Sequence, residues 1–122
     1  MSTSEHPLST NLPDTCATHP LGRAIRLIGD VWILLIVVNL LSGAMRYSEL
    51  LAAMDHVSSK TLSQRLRYLE EIQFVERHAY PEIPPRVEYA LTDKGRALAQ
   101  VIAAIEQFAN EHLTDAAFRP CP

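Results

Sequence analysis

A mainly α-helical fold carrying one β-hairpin is what this sequence predicts, and three observations carry the prediction. Apolar residues recur at helical spacing through most of residues 20–72. The period then drops to two across "FVERHAY" (74–80) and "RVEYALT" (86–92), with "PEIPP" between them. A second helical stripe begins directly after Thr92. With 122 residues the chain has room for one hydrophobic core.

The elements follow in order. Residues 1–18 are rich in Ser, Thr and Pro, show no period and read as a flexible arm. Leu21, Ala24, Ile25, Leu27 and Ile28 form one stripe of a first helix, which Gly29 stops. Asp30 then caps a second helix, 31–42. Its run "VWILLIVVNLL" is apolar nearly all round, so it needs cover on most faces. Eleven residues are too few to span a bilayer. A short third helix, "YSELLAAM" (47–54), has a narrow apolar edge of Leu50, Leu51 and Met54. Asp55, His56 and Val57 make the turn to a fourth helix, 58–72. Ser58 is its N-cap, and Leu62, Leu66, Leu69 and Ile72 are its buried stripe. The hairpin link holds Pro81, Pro84 and Pro85, too many for a two-residue turn, so its tip projects as a preset extended loop. Thr92 caps a last helix, 93–113, with Leu98, Val101, Ile102, Ile105 and Phe108 on one side. Residues 114–122 are a tail, which leaves 19–113 as the folded domain.

Composition excludes more than it assigns. Net charge is −3 and the isoelectric point about 5.9, which by itself argues against a phosphate-binding protein. Yet residues 44–96 hold eight basic and eight acidic side chains, so the whole excess lies in the flanks. The two cysteines, Cys16 and Cys121, sit near the termini and give neither a disulfide framework nor a metal spacing. The five histidines are scattered, so no metal or other cofactor is expected. Four glycines leave no phosphate loop, and no nucleophile motif or paired acids point to an enzyme. The N-terminus has neither the basic nor the apolar region of a signal peptide, so a cytoplasmic protein is expected, with no membrane partner.

Three helices, a turn, a fourth helix, a hairpin and a closing helix is the order of a winged helix-turn-helix. With Leu62 at the centre of the buried stripe of helix 58–72, Lys60, Ser63, Gln64, Arg67 and Glu71 fall on the far side. Ser59 and Thr61 lie at its two edges. Such a face suits DNA: hydroxyls reach phosphates or base edges, Gln pairs with adenine, and Arg pairs with guanine. Glu70 and Glu71 come only in the last turn, away from the end that enters a groove. A solvated face of mixed charge would look the same, but it would not need a rigid loop beyond it. Arg86, near the tip, either reaches phosphate or the minor groove, or pairs with Glu82 or Glu88. The competing function is a protein-interaction module that docks its apolar helices on another protein without specific DNA binding.

The chain resembles the HxlR-type winged-helix transcriptional regulators of bacteria. The resemblance rests on "LIGDVWILLIVVNLLSGAMRYSEL" (27–50), "SSKTLSQRLRYLEE" (58–71) and, most specifically, "YPEIPPRVEYALTDKG" (80–95). It implies a homodimer joined by its N-terminal and last helices. It also implies an operator, palindromic by symmetry, in duplex DNA, with helix 58–72 in the major groove and wing 74–92 on the backbone or minor groove. Members respond to metabolites, chemical stress or redox signals, often through an N-terminal cysteine. Ten residues before Gly29, where that cysteine usually lies, this chain has His19, and Cys16 stands three residues earlier. Cys16 and His19 are therefore the candidate sensors, and a small-molecule effector is the other route for a signal. Val31 replaces the usual lysine before the tryptophan. Gln73 replaces the glycine that usually ends the recognition helix, so it must adopt that turn at a cost or avoid it.

Overall fold

The structure, a computed structural model, describes residues 19–113; the expected arm and tail, with Cys16 and Cys121, lie outside the described residues. In chain order the elements are α1 (Pro20–Ile28), α2 (Val31–Leu40), β1 (Met45–Arg46), α3 (Tyr47–Ala53), α4 (Ser59–Glu71), β2 (Val75–Tyr80), β3 (Arg86–Leu91), α5 (Asp93–Arg96) and α6 (Leu98–His112). The expected caps form. Asp30 accepts hydrogen bonds from the backbone N–H groups of Trp32 and Ile33 at the start of α2. Ser58 accepts from Thr61 N–H at the start of α4, and Thr92 accepts from Gly95 N–H at the start of α5.

The core is the meeting point of the apolar stripes. Ile33, Ile36, Val37 and Leu40 from α2 are buried against Leu50 and Met54, against Leu62, Leu66 and Leu69 of α4, and against Val75, Leu91 and Leu98. Seven of these side chains are less than 2% exposed, among them all three of α4, so α4 is seated on a dry apolar keel. Each such residue contributes about 1.5–3 kcal/mol by leaving water.

Three points depart from the sequence reading. The wing is a three-stranded antiparallel sheet of order β1-β3-β2, because Met45 and Arg46 pair with Tyr89 and Glu88. Two residues are too short to show an alternation. The last helix is interrupted at Ala97, whose N–H is shared between the carbonyls of Asp93 (3.2 Å) and Lys94 (3.3 Å), a locally tightened turn. Helix α2 ends at Leu40 rather than at 42. As expected, Gly29 ends α1, here in right-handed helical backbone; a Cβ there would lie 2.6 Å from the Ile25 carbonyl oxygen. In keeping with its excess of apolar surface, α2 is covered on one side only: Val31 is 58% exposed and Val38 44%, and Leu21 on α1 is 64% exposed. Among the described residues, no element covers the second side. On α6 the stripe packs on the core through Leu98, Val101 and Ile102 and then leaves it, with Ile105 and Phe108 exposed.

Gln73 takes the left-handed turn, at φ 66°. Its neighbours hold it there. Thr92 Oγ1 donates to the Gln73 carbonyl at 2.6 Å, Lys94 Nζ donates to the Ile72 carbonyl at 2.9 Å, and Phe74 N–H returns to the Leu69 carbonyl. These bonds close the end of α4 and join it to the root of the wing. Gly95 completes the joint, because any Cβ there would collide with the Phe74 carbonyl oxygen.

Candidate nucleic-acid interface

Helix α4 presents its predicted face to solvent. Ser59, Lys60, Ser63, Gln64 and Arg67 are exposed, and Thr61 is half-buried at the edge. Ser58 donates its hydroxyl to Thr61 Oγ1 at 3.0 Å while capping Thr61 N–H, so the first turn is closed by its own side chains. The exposed cations Lys60 and Arg67 lie opposite the stripe of Leu62, Leu66 and Leu69, with no acid among the first eleven residues of the helix.

Two attachments of α4 were not read from the sequence. Tyr47, the first residue of α3, donates its phenol O–H to the Ser59 carbonyl at 2.9 Å. The same oxygen lies 3.1 Å from Ser63 Oγ. A phenol has one proton, and the Ser59 carbonyl can only accept, so Ser63 is the donor in the second bond. Ser63 then faces outward as an acceptor. On the other flank, Arg65 Nε donates to Asp30 Oδ2 at 2.9 Å. Asp30 thus uses one oxygen to cap α2 and the other to hold α4, in a half-buried pair with side chains 31% and 25% exposed. A spare carboxylate oxygen on a cap is a signal the sequence did contain. The position of Arg65 on the flank of the stripe, rather than on its far side, was another.

In the free protein Arg86 is paired with both acids of the wing. Its Nη2 donates to Glu82 Oε2 at 2.7 Å, its Nε to Glu82 Oε1 at 3.1 Å, and its Nη1 to Glu88 Oε2 at 2.6 Å. The guanidinium carbon also stacks 3.8 Å above the Tyr80 ring. These two carboxylates push the Arg86 pKa up, and the Arg86 hydrogen bonds hold Glu82 below the ordinary carboxyl value. The bidentate fork ties the two ends of the proline link together, across a cis Ile83–Pro84 bond. Ile83 at the tip is fully exposed.

The remaining candidates are less engaged. His19 is exposed and occupies the N-cap of α1 without a side-chain cap bond. Cys16 lies outside the described residues. Among the described residues there is no cluster of three or more potential metal ligands, and no helix is long and apolar enough to cross a membrane.

Comparison with known proteins gives this arrangement its family. The model of the HxlR-like helix-turn-helix family matches residues 27–117. The uncharacterized HTH-type transcriptional regulator YvaP of Bacillus subtilis is 44% identical over 89 residues, 73% of this chain and 82% of that protein. The HTH-type transcriptional regulator YodB of the same organism is 38% identical over 88 residues, 72% of this chain and 79% of YodB. The structure of reduced YodB superposes with a TM-score of 0.71 at 35% identity, covering 78% of this chain and 94% of that one. The redox regulator HypR in its reduced form gives 0.73 at 26% identity, with 78% and 94% covered. The helical core, α4 and the wing are thus those of a DNA-binding transcriptional regulator, and the chain belongs to the HxlR-like helix-turn-helix family.

Proposed function

We propose that the chain works in the cytoplasm as a homodimer that binds a two-fold symmetric operator, with one α4 in each of two major grooves. The observation that carries this reading is the outward face of α4, where Ser59, Lys60, Thr61, Ser63, Gln64 and Arg67 gather opposite a fully buried keel. Gln64 and Arg67 are the base readers, Lys60 and the hydroxyls the backbone contacts. Arg86 is left out of the reading set, because three of its five N–H donors already go to two carboxylates. It shapes the wing, which leans on the flanking backbone. The exposed apolar faces of α1, α2 and α6 supply the dimer contact, since Leu21, Val31, Val38 and Phe108 are left exposed by the described residues.

The experiment is selection of bound duplexes from a random-sequence pool, paired with sedimentation of the free protein at micromolar concentration. A palindrome with half-sites one helical turn apart, or a multiple of that, and a dimer mass are the expected results. A monomer, or a pool that never enriches, would defeat the reading.

Signal reception is a separate part of the proposal. YodB is known in reduced and diamide-treated forms, and HypR in reduced and oxidized forms. This chain has His19 where the family cysteine usually lies. We infer that its signal is a small molecule or partner at the dimer contact, or that it has no inducer, and that Cys16 is dispensable. Binding to the selected duplex is measured before and after diamide for wild type and Cys16→Ser. Equal behaviour of the two proteins is expected. Release of DNA by wild type alone would make Cys16 the sensor.

A further inference from the structure

Helix α4 rests on three leucines, and a keel of aliphatic side chains resists lifting far better than it resists rolling. Roll matters for a reading helix. At about 100° per residue, a small rotation about the axis changes which side chains point at the bases. Polar bonds, which are directional, are what can fix it.

The two polar attachments of α4 stand on opposite sides of the keel. With Leu62 taken as the reference direction, Ser59 and Ser63 lie about 60–100° to one side and Arg65 about 60° to the other. Tyr47 holds the first flank from α3, at 2.9 Å to the Ser59 carbonyl and 3.1 Å to Ser63 Oγ. Asp30 holds the second from the start of α2, at 2.9 Å to Arg65 Nε. Neither bond belongs to the apolar core, and each ends on a different neighbouring helix. We propose that Tyr47 and the Asp30–Arg65 pair are positioning residues that set the roll of α4, and through it the base preference of the protein. They do not touch DNA bases themselves in this assignment. The proposal rests on the reading of α4 as the recognition helix.

The chemistry allows the pegs to be removed without removing the structure they share. Tyr47→Phe keeps the ring and loses the hydroxyl. Asp30→Asn keeps a good N-cap through its amide oxygen but turns an NH2 group toward Arg65, so only the peg is lost. Arg65→Met keeps most of the aliphatic stem. The readout is the base-preference profile of each variant, obtained by selection from the same random-sequence duplex pool, together with melting temperature and affinity for a non-specific duplex. Arg67→Ala serves as the control on the recognition helix.

Each peg variant is expected to lose discrimination against single mismatches by about tenfold, at several base pairs at once. Non-specific affinity, its salt dependence and the melting temperature should change little. Asp30→Asn and Arg65→Met should give the same altered profile, and the double variant no further change, because both remove one bond. Arg65→Lys should restore part of the profile. An unaltered profile in the peg variants, with Arg67→Ala weakened, overturns the proposal and leaves the recognition helix intact. Loss of specific and non-specific binding in step with melting temperature also overturns it, since that is a purely structural role. If Arg67→Ala binds like wild type, α4 is not the reading helix, and the proposal falls with its premise.

Discussion

Helix α4 and the wing carry the same kind of residue and use it in opposite ways. Arg67 on α4 is exposed with an uncovered face around it, while Arg86 on the wing is bound by two carboxylates and stacked on Tyr80. On α4 the nearest acids, Glu70 and Glu71, lie in the last turn, Glu71 on the same outward face as Arg67, and the apolar stripe opposite leaves the cation exposed. On the hairpin, Glu88 is two residues along the same strand and therefore on the same face, and the proline link folds Glu82 back onto that face. Arg86 is therefore engaged by its acids within the hairpin, while Arg67 is left exposed.

The comparison breaks most sharply at α4. Substituting Gln64 or Arg67 by Ala should cost about 1–3 kcal/mol on the selected duplex, and the double substitution should abolish preference over random DNA. Competition binding at fixed salt measures this. Retention of specificity by the double variant would move the reading face elsewhere, and the contrast with the wing would lose its meaning.

The next effect concerns the joint between the two regions. Gln73 holds φ 66°, a conformation that strains a side chain with a Cβ. Gln73→Gly should stabilise the fold by about 0.5–1 kcal/mol, the relief of that strain exceeding the added freedom of the unfolded chain. Thermal unfolding should shift upward by a few degrees, and DNA affinity should not fall. A lower melting temperature would mean that the Gln73 side chain contributes more than its backbone costs.

How much of this was legible follows the range of each interaction. The keel of α4, the caps at Asp30, Ser58 and Thr92, and the two long strands are local patterns, and they were read with boundaries off by a residue or two. Strand β1 is a partner of β3 some forty residues away and has no period of its own. The Tyr47 and Asp30 pegs join residues 12 to 35 positions apart, so they become visible only once the helices are packed. The uncovered sides of α2 and α6 were foreseen as excess apolar surface, although the degree of exposure within one chain required coordinates. On Arg86 the sequence offered both outcomes, and three-dimensional proximity to Glu82 decided between them in the free chain.

A smaller effect follows from titrating the wing. The Glu82 carboxyl titrates below its ordinary value of 4.5, chiefly because Arg86 donates hydrogen bonds to it. A group whose folded pKa is depressed stabilises the fold above its unfolded pKa, and that contribution is lost as pH falls through the folded value. The fork closing the wing should therefore be intact at neutral pH and open progressively below 4.5. Amide exchange or proton chemical shifts across residues 80–88, followed on lowering the pH, should show the link loosening before the α4 keel does. Simultaneous loss of both would mean that the wing and the helical core melt as one unit.

The smallest expected effect is the most pointed test of the contrast. A cation contributes to the salt dependence of DNA binding only if it releases a counterion from phosphate when it binds. Arg86 is already neutralised by Glu82 and Glu88, so Arg86→Ala should leave the slope of log affinity against log salt unchanged while loosening the wing. Removing the acids instead should free the cation. The double substitution Glu82→Gln with Glu88→Gln should steepen the slope by about one charge contact, provided the wing lies within reach of the backbone. Adding Arg86→Ala to that pair should abolish the gain. If Arg86→Ala alone flattens the slope by about one, the guanidinium leaves its carboxylates for a phosphate on binding, and the wing would then use its arginine as α4 does.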